Sequence, residues 1–310
     1  MRMGEETGLE ARQGRIAALG YDYAAKPSAR APHCNLCGGD RFVTLTHRDR
    51  YGYPAKADGC LRCGLVFLNP AMTAAAYTEF YTEVYRPLVS AYHGRLIDAG
   101  SIQDEQREYA SARADFIEPQ IRARSCKTLL DVGGSTGVVA HVMKERFDLI
   151  ATVIDPAPLE IEVARALGLK TVAGFVEDYD PGGATYDFIV LCQTVDHLLD
   201  VSLSLSKIRN LLSEDGLFFV DIVDFRAAYR RGGSVEGAVK IDHPYYLTDE
   251  TMRAYLARSG FDVLGIDCAA DHLHVGYLCK PGRQQPDALP DPALVIDQWR
   301  EIRAIHNPLP

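Results

Sequence analysis

From Cys126 to Lys280 the sequence alternates short apolar runs with amphipathic ones, and this alternation leaves few folds open. "CKTLLDV" reads as a strand, "GVVAHVMKERF" as a helix, "DLIATVID" as a strand, "LEIEVARALG" as a helix and "KTVAG" as a third strand. Next come the strand "TYDFIVLCQ", a helix with Val201, Leu205, Ile208 and Leu212 on one face, and the strand "GLFFVDIV". Strand–helix alternation predicts an α/β fold, a doubly wound parallel sheet with helices on both faces. After a helix carrying Met252, Tyr255 and Leu256, the runs "FDVLGIDC" and "HLHVGYLCK" follow each other closely. So short a link predicts an antiparallel hairpin at the sheet edge.

The first strand-to-helix turn, "LLDVGGSTG", places Asp131 at a strand end and then three glycines in five positions. In a doubly wound sheet this turn lies where ligands bind, beyond the strands' carboxyl ends, and bare backbone there lets a ligand touch the main chain. A dinucleotide site needs Gly-x-Gly-x-x-Gly, but counting from Gly133 the required positions hold Ser135 and Val138. What stands instead is Asp131, Gly133, Gly134, Ser135 and Gly137, followed at the end of the second strand by Asp155 and Pro156 in "VIDPAP". An aspartate at that strand end can accept both hydroxyls of a ribose.

Eight cysteines fall into two groups. Cys34, Cys37, Cys60 and Cys63 form two Cys-x-x-Cys pairs, each followed by glycine, in "CNLCGG" and "CLRCGL". Two residues between thiolates let a tight knuckle aim both at one ion, and a second knuckle completes a tetrahedron of sulfur. Four sulfurs close the shell, so the expected ion is a structural zinc. Cys126, Cys192, Cys268 and Cys279 sit singly in apolar stretches and read as small hydrophobes.

Five segments follow. Residues 1–30 show no strong periodicity and read as a loosely ordered leader; 31–70 are a small zinc-ribbon domain; 71–125 are a helical connector; 126–282 are the sheet domain; 283–310 are a proline-rich tail with one helix around Trp299. In the connector, Tyr77, Phe80, Tyr81, Val84, Tyr85 and Leu88 recur at helical intervals. That stripe is either a core-facing side or a lid over a ligand. No apolar run approaches the roughly 18 residues of a membrane span, the N-terminus lacks a signal's apolar centre, and a cytoplasmic location is the expectation. A net charge of −9 would repel a phosphate backbone, so no nucleic-acid partner is expected.

The motifs together resemble the class I S-adenosylmethionine-dependent methyltransferases, whose fold is Rossmann-like, over roughly residues 126–280. "LLDVGGSTG" is similar to that family's first motif, "VIDPAP" to its second and "VEDYD" to its third. The resemblance implies S-adenosylmethionine as cofactor, with its methionine portion against Gly133–Gly137, its ribose on Asp155 and its adenine near Glu177 and Asp178. It further implies that "QTVDHLLD" rims the methyl-transfer pocket, putting Gln193, Asp196 and His197 near the reacting sulfonium. Histidine suits the removal of an alcohol's proton near neutral pH. On this reading His197 is the base, Asp196 orients it, and His243 in "IDHPYYLTDET" is a competing base from the substrate loop. Gln193, Asp196, His197 and His243 also resemble the metal-binding glutamates and histidines of a metal-dependent RNA-ribose methyltransferase, with Gln193 departing from the carboxylate of that pattern.

Paired knuckles followed by "CGLVFLNP" and "FYTEVYR" resemble zinc-ribbon methyltransferases found among sugar C-methyltransferases and other glycan-tailoring enzymes. Those sugar enzymes carry a further C-terminal substrate domain, whereas only thirty residues follow Lys280 here. The expected reaction is therefore O-methylation of a carbohydrate or glycan precursor, the alternative being C-methylation of a nucleotide-linked ketosugar. From another class comes a catalytically silent methyltransferase fold whose zinc ribbon binds partners, against which Asp131, Gly133, Gly137 and Asp155 all stand. The oligomeric state is left open.

Overall fold

A computed structural model of the chain describes residues 2–269 and 272–306. Its centre is a seven-stranded sheet. Across it the strands run Phe261–Cys268, His274–Pro281, Leu212–Val223, Tyr186–Leu191, Thr128–Val132, Ile150–Asp155 and Lys170–Ala173. The last five named are mutually parallel, and His274–Pro281 pairs antiparallel with both of its neighbours. The expected terminal hairpin is present at the expected edge.

Thr128–Val132 lies between strands that come later in the chain on both sides, so the direction of winding reverses there. Leu129 and Leu130 are fully buried and point to opposite faces, into separate apolar clusters that helices close from each side. Helices Gln103–Arg124 and Val138–Phe147 cover one face through Ile117, Ile121, Ala140 and Met143. Val201–Leu211 and Asp249–Arg258 cover the other. Val201 follows Asp200, whose carboxylate caps the helix by accepting from the Leu203 N–H at 2.9 Å. That helix ends at Leu211, and Leu212 opens the next strand instead of extending the helical face.

The outer segments pack against the rest of the chain. The leader is not loose: Arg2–Ala17 is helical, Ile16 and Tyr23 are buried, and Ser28–Ala29 pair with Ala71–Met72. Its order comes from distant aromatic partners, such as Tyr53 and Phe80 against Tyr21, which local periodicity cannot register. The cysteine-bearing segment folds as three antiparallel strands, Phe42–Thr46, Ala57–Cys60 and Val66–Leu68, but a fourth arrives from far along the chain, Tyr245–Tyr246. The boundaries near 70 and 125 therefore cut through shared packing, since Cys34, Leu36 and Leu65 lie in one buried cluster with Leu205, Leu247 and Tyr255, and Ile117 and Ile121 lie in another with Leu129. The tail contributes a helix, Pro292–His306, which buries Val295 and Ile302 and donates from Gln298 Nε2 to the Gly64 carbonyl at 3.0 Å. Among the described residues no helix is long and apolar enough to cross a membrane.

Candidate active site

At the carboxyl ends of the parallel strands lies a cavity of about 420 Å3. Asp131, Gly133, Gly134, Ser135, Asp155, Pro156, Glu177, Gln193 and His197 all line it. Gly137 and Asp178 do not. Gly137 starts the helix Val138–Phe147 at φ 75°, and a Cβ there would come 2.9 Å from Ala164 Cβ, so its bareness serves packing between helices. Gly133, at φ 65°, does border the cavity, yet a Cβ on it would first meet Thr194 Cγ2 at 2.3 Å. The turn is thus bare because a neighbouring loop presses on it as well as because the cavity opens beside it.

Two buried carboxylates form the cavity's acidic wall. Asp155 accepts from the Ser135 and Ala157 N–H groups at 2.9 and 2.8 Å, and burial raises its pKa to about 6. Asp131 accepts from the Ala140 N–H at 3.2 Å, and burial, with Asp155 nearby, raises it to about 7. Neither is in an ion pair with a described residue. Arg86, from the connector, instead pairs with Glu160 at 3.0 Å, and Glu160 accepts from Ser135 Oγ at 2.9 Å. The connector is thereby tied to the glycine turn. Glu177 lines the cavity, but its carboxylate accepts from Ser204 Oγ.

The connector stripe resolves into two uses. Phe80 and Leu88 are buried in the core, whereas Tyr77, Tyr81 and Tyr85 form one wall of the cavity. Tyr81 then sets the state of His197. Its hydroxyl donates to the Asp242 carbonyl at 2.8 Å, and His197 Nδ1 lies 2.8 Å from that hydroxyl and 3.1 Å from the same carbonyl. With the Tyr81 proton on that carbonyl, Nδ1 faces only acceptors, an arrangement that puts the ring proton on Nδ1 and leaves Nε2 its lone pair. Burial, reinforced by His243, lowers the His197 pKa to about 4, which keeps the ring neutral through the physiological range.

Asp196 and His243 are placed differently from the sequence expectation. Asp196 does not hold His197; its Oδ2 lies 2.9 Å from His243 Nδ1. His243 Nε2 lies 3.0 Å from Lys240 Nζ and 3.3 Å from Asp242 Oδ2, so both of its ring nitrogens are engaged. His243 does not line the main cavity but packs behind His197, with ring centroids 4.4 Å apart. The ligating atoms of Asp196, His197 and His243 lie within 4.8 Å of one another. Arg86, Lys240 and Asp242 were missed by sequence reasoning, and Tyr81 was singled out without its contact to His197. The tyrosine spacing was the available signal for Tyr81, while Asp242 acts through its carbonyl, which no side-chain pattern reveals.

The four knuckle cysteines meet. Cys34 Sγ and Cys63 Sγ are 3.5 Å apart, as are Cys37 Sγ and Cys60 Sγ, and all four sulfurs lie within 4.8 Å of one another, buried. Thiolates around a tetrahedral ion with ~2.3 Å bonds stand roughly 3.8 Å apart, whereas a disulfide needs ~2.05 Å. The cluster has the spacing of a closed metal shell.

Comparison with known proteins shows a family. Residues 102–265 match the model of a methyltransferase-domain family. The chain belongs to that family, and its sheet domain is a methyltransferase domain. Among curated proteins it is 24% identical over 195 residues to a probable (S)-tetrahydroprotoberberine N-methyltransferase 2 of Papaver bracteatum, covering 57% of this chain and 54% of that one. It is 30% identical over 105 residues to a ubiquinone biosynthesis O-methyltransferase of a Methylobacterium species, covering 31% of this chain and 41% of that one. The chain thus spans about half the length of the curated relatives it matches. A solved S-adenosylmethionine-dependent methyltransferase of Clostridium acetobutylicum overlays 55% of this chain and 91% of its own, at 15% identity and a TM-score of 0.46.

Proposed function

We propose that the chain methylates a hydroxyl of a carbohydrate or glycan precursor, with S-adenosylmethionine as donor and a structural zinc in the ribbon. The observation that carries this reading is His197, a neutral histidine on the cavity wall with its Nδ1 proton fixed by Tyr81 and Asp242. An oxygen nucleophile must lose its proton as it attacks, and with Nδ1 engaged, Nε2 is the ring's basic atom left to receive it. His243, held by Asp196 and Lys240, backs the ring and fixes its position.

The residues present suit the cofactor, which supplies an electrophilic methyl group when bound. It carries an ammonium and a sulfonium, and the cavity offers two buried carboxylates with no cationic partner among the described residues. Asp131 suits the positive charge; Asp155 retains lone pairs for ribose hydroxyls beyond the two N–H groups it already accepts. Cys34, Cys37, Cys60 and Cys63 would hold zinc.

Replacing Asp155 by alanine removes charge-assisted bonds of about 1.5–3 kcal/mol each, so the cofactor's dissociation constant should rise tenfold or more with the fold intact. Calorimetric titration measures it, and an unchanged constant refutes the assignment. The two raised carboxyls add a pH signature. Both sit above the ordinary 3.8, so their contribution to stability is fully present below about pH 4 and is lost as pH rises through about 6 for Asp155 and about 7 for Asp131. A cationic cofactor favours the ionised forms, so binding between pH 6 and 7 should release protons. Titrations in buffers of different ionisation enthalpy should then give different apparent heats; identical heats would show that these carboxyls do not face the cofactor's charge.

A further inference from the structure

Behind the histidine pair lies a second cavity, of about 280 Å3. Asp196 and His243 line it, whereas His197 lines the first, so one pair of rings meeting edge to face lies between the two. The remaining charge on its wall is positive: Arg50 from the ribbon, and Arg231 and Lys240 from the segment after the strand Leu212–Val223. In a chain of net charge −9, that local excess of cations is selective.

Arg50 and Lys240 are in no ion pair with any described residue. The Arg50 guanidinium lies 4.1 Å over the Tyr92 ring, and its buried Nε has no hydrogen-bond partner. Arg12 lies 4.4 Å over the same ring, again with a buried Nε lacking a partner. Lys240 has His243 Nε2 as its neighbour at 3.0 Å. The field of these groups reaches His93, which burial first, and then Arg50, Arg95, Arg12 and Lys240, hold below the ordinary histidine value. Of the acids nearby, Asp196 is engaged with His243, Asp242 Oδ2 lies 3.3 Å from His243 Nε2 while its buried Oδ1 has no hydrogen-bond partner, and Asp49 accepts from the Tyr51, Tyr53 and Ile241 N–H groups. Buried donors without acceptors are costly, and like charges gathered on one ring repel. An anion with several oxygens relieves both, and a planar guanidinium beside an ammonium suits phosphate.

We propose that this second cavity is an anion site that takes a phosphate group of the methyl acceptor, with Arg50 and Lys240 donating to its oxygens. The assignment to the acceptor rests on the methyl-transfer reading; the anion site itself does not. Phosphate held here would anchor the acceptor one histidine pair away from His197.

The test begins with inorganic pyrophosphate titrated calorimetrically into the full chain. Saturable one-to-one binding is expected, weaker at higher salt, and weakened tenfold or more by Arg50→Ala and by Lys240→Met. Arg50→Lys, which keeps the cation but loses the fork, should fall between. No saturable binding by the wild type, or wild-type binding by both Arg50→Ala and Lys240→Met, overturns the site. S-adenosylmethionine titrated into the same variants should bind as to the wild type, showing that the fold and first cavity are intact. Failure of the wild type to bind S-adenosylmethionine would instead sink the methyltransferase reading and leave the pyrophosphate result standing. In steady-state methyl transfer, pyrophosphate should raise the acceptor's KM with kcat unchanged. A change in kcat at constant KM would assign the anion to a separate ligand and overturn its place on the acceptor.

Discussion

Alanine in place of His197 is expected to lower turnover by about a hundredfold or more while leaving cofactor affinity nearly unchanged, since general-base contributions span roughly 10²–10⁴. The prediction follows from the ring's surroundings. Nδ1 is occupied by Tyr81 and the Asp242 carbonyl, so only Nε2 can move a proton. With its pKa lowered to about 4 by burial, the ring is already unprotonated across the neutral range, and kcat should stay flat with pH there until another group titrates. A His197→Ala enzyme with the full wild-type rate and pH profile would move the role to His243 or to simple proximity. Because Asp196 and Lys240 engage His243, that transfer would require the present network to break.

The second large effect is on folding. Cys60→Ser is expected to cost more than the chain's margin of stability, because structural zinc contributes about 10–16 kcal/mol where domains hold only about 5–15. The loss would not stay in the ribbon. Cys34, Cys37, Cys60 and Cys63 belong to the buried cluster that also holds Leu205 and Tyr255 under the main sheet, so soluble yield and thermal midpoint should fall together. Elemental analysis should find one zinc per chain. A protein without stoichiometric zinc, or a Cys60→Ser variant melting with the wild type, would remove the metal from the account.

Much of this was legible in the residues and some was not, for identifiable reasons. The apolar runs from Cys126 onward gave each strand and its neighbours, because burial on both faces makes a parallel strand continuously apolar. Asp155 and Gly133 reach the cavity because the first two strand ends must open on the reversal of winding. The tyrosine stripe was visible but undecided: a 3.6-residue period shows which face is apolar and does not show what covers it. Tyr245–Tyr246 gave no sign of joining the ribbon, since two residues carry no period and their partner strand lies some 180 positions earlier. Asp196 and His197 are adjacent in sequence, yet on their 3-10 turn they point to different partners, so adjacency misassigned which ring the aspartate holds.

The most direct test of the proposed chemistry follows the methyl carbon. The protein is incubated with methyl-13C S-adenosylmethionine and an acceptor panel of free sugars, phosphorylated and nucleotide-linked sugars, and polysaccharide, and the product's carbon shift shows which atom received the label. The account predicts a methyl ether on a carbohydrate hydroxyl, with its formation reduced about a hundredfold or more by His197→Ala. Label on carbon or nitrogen, or no transfer to any carbohydrate by a protein that binds the cofactor, would contradict it.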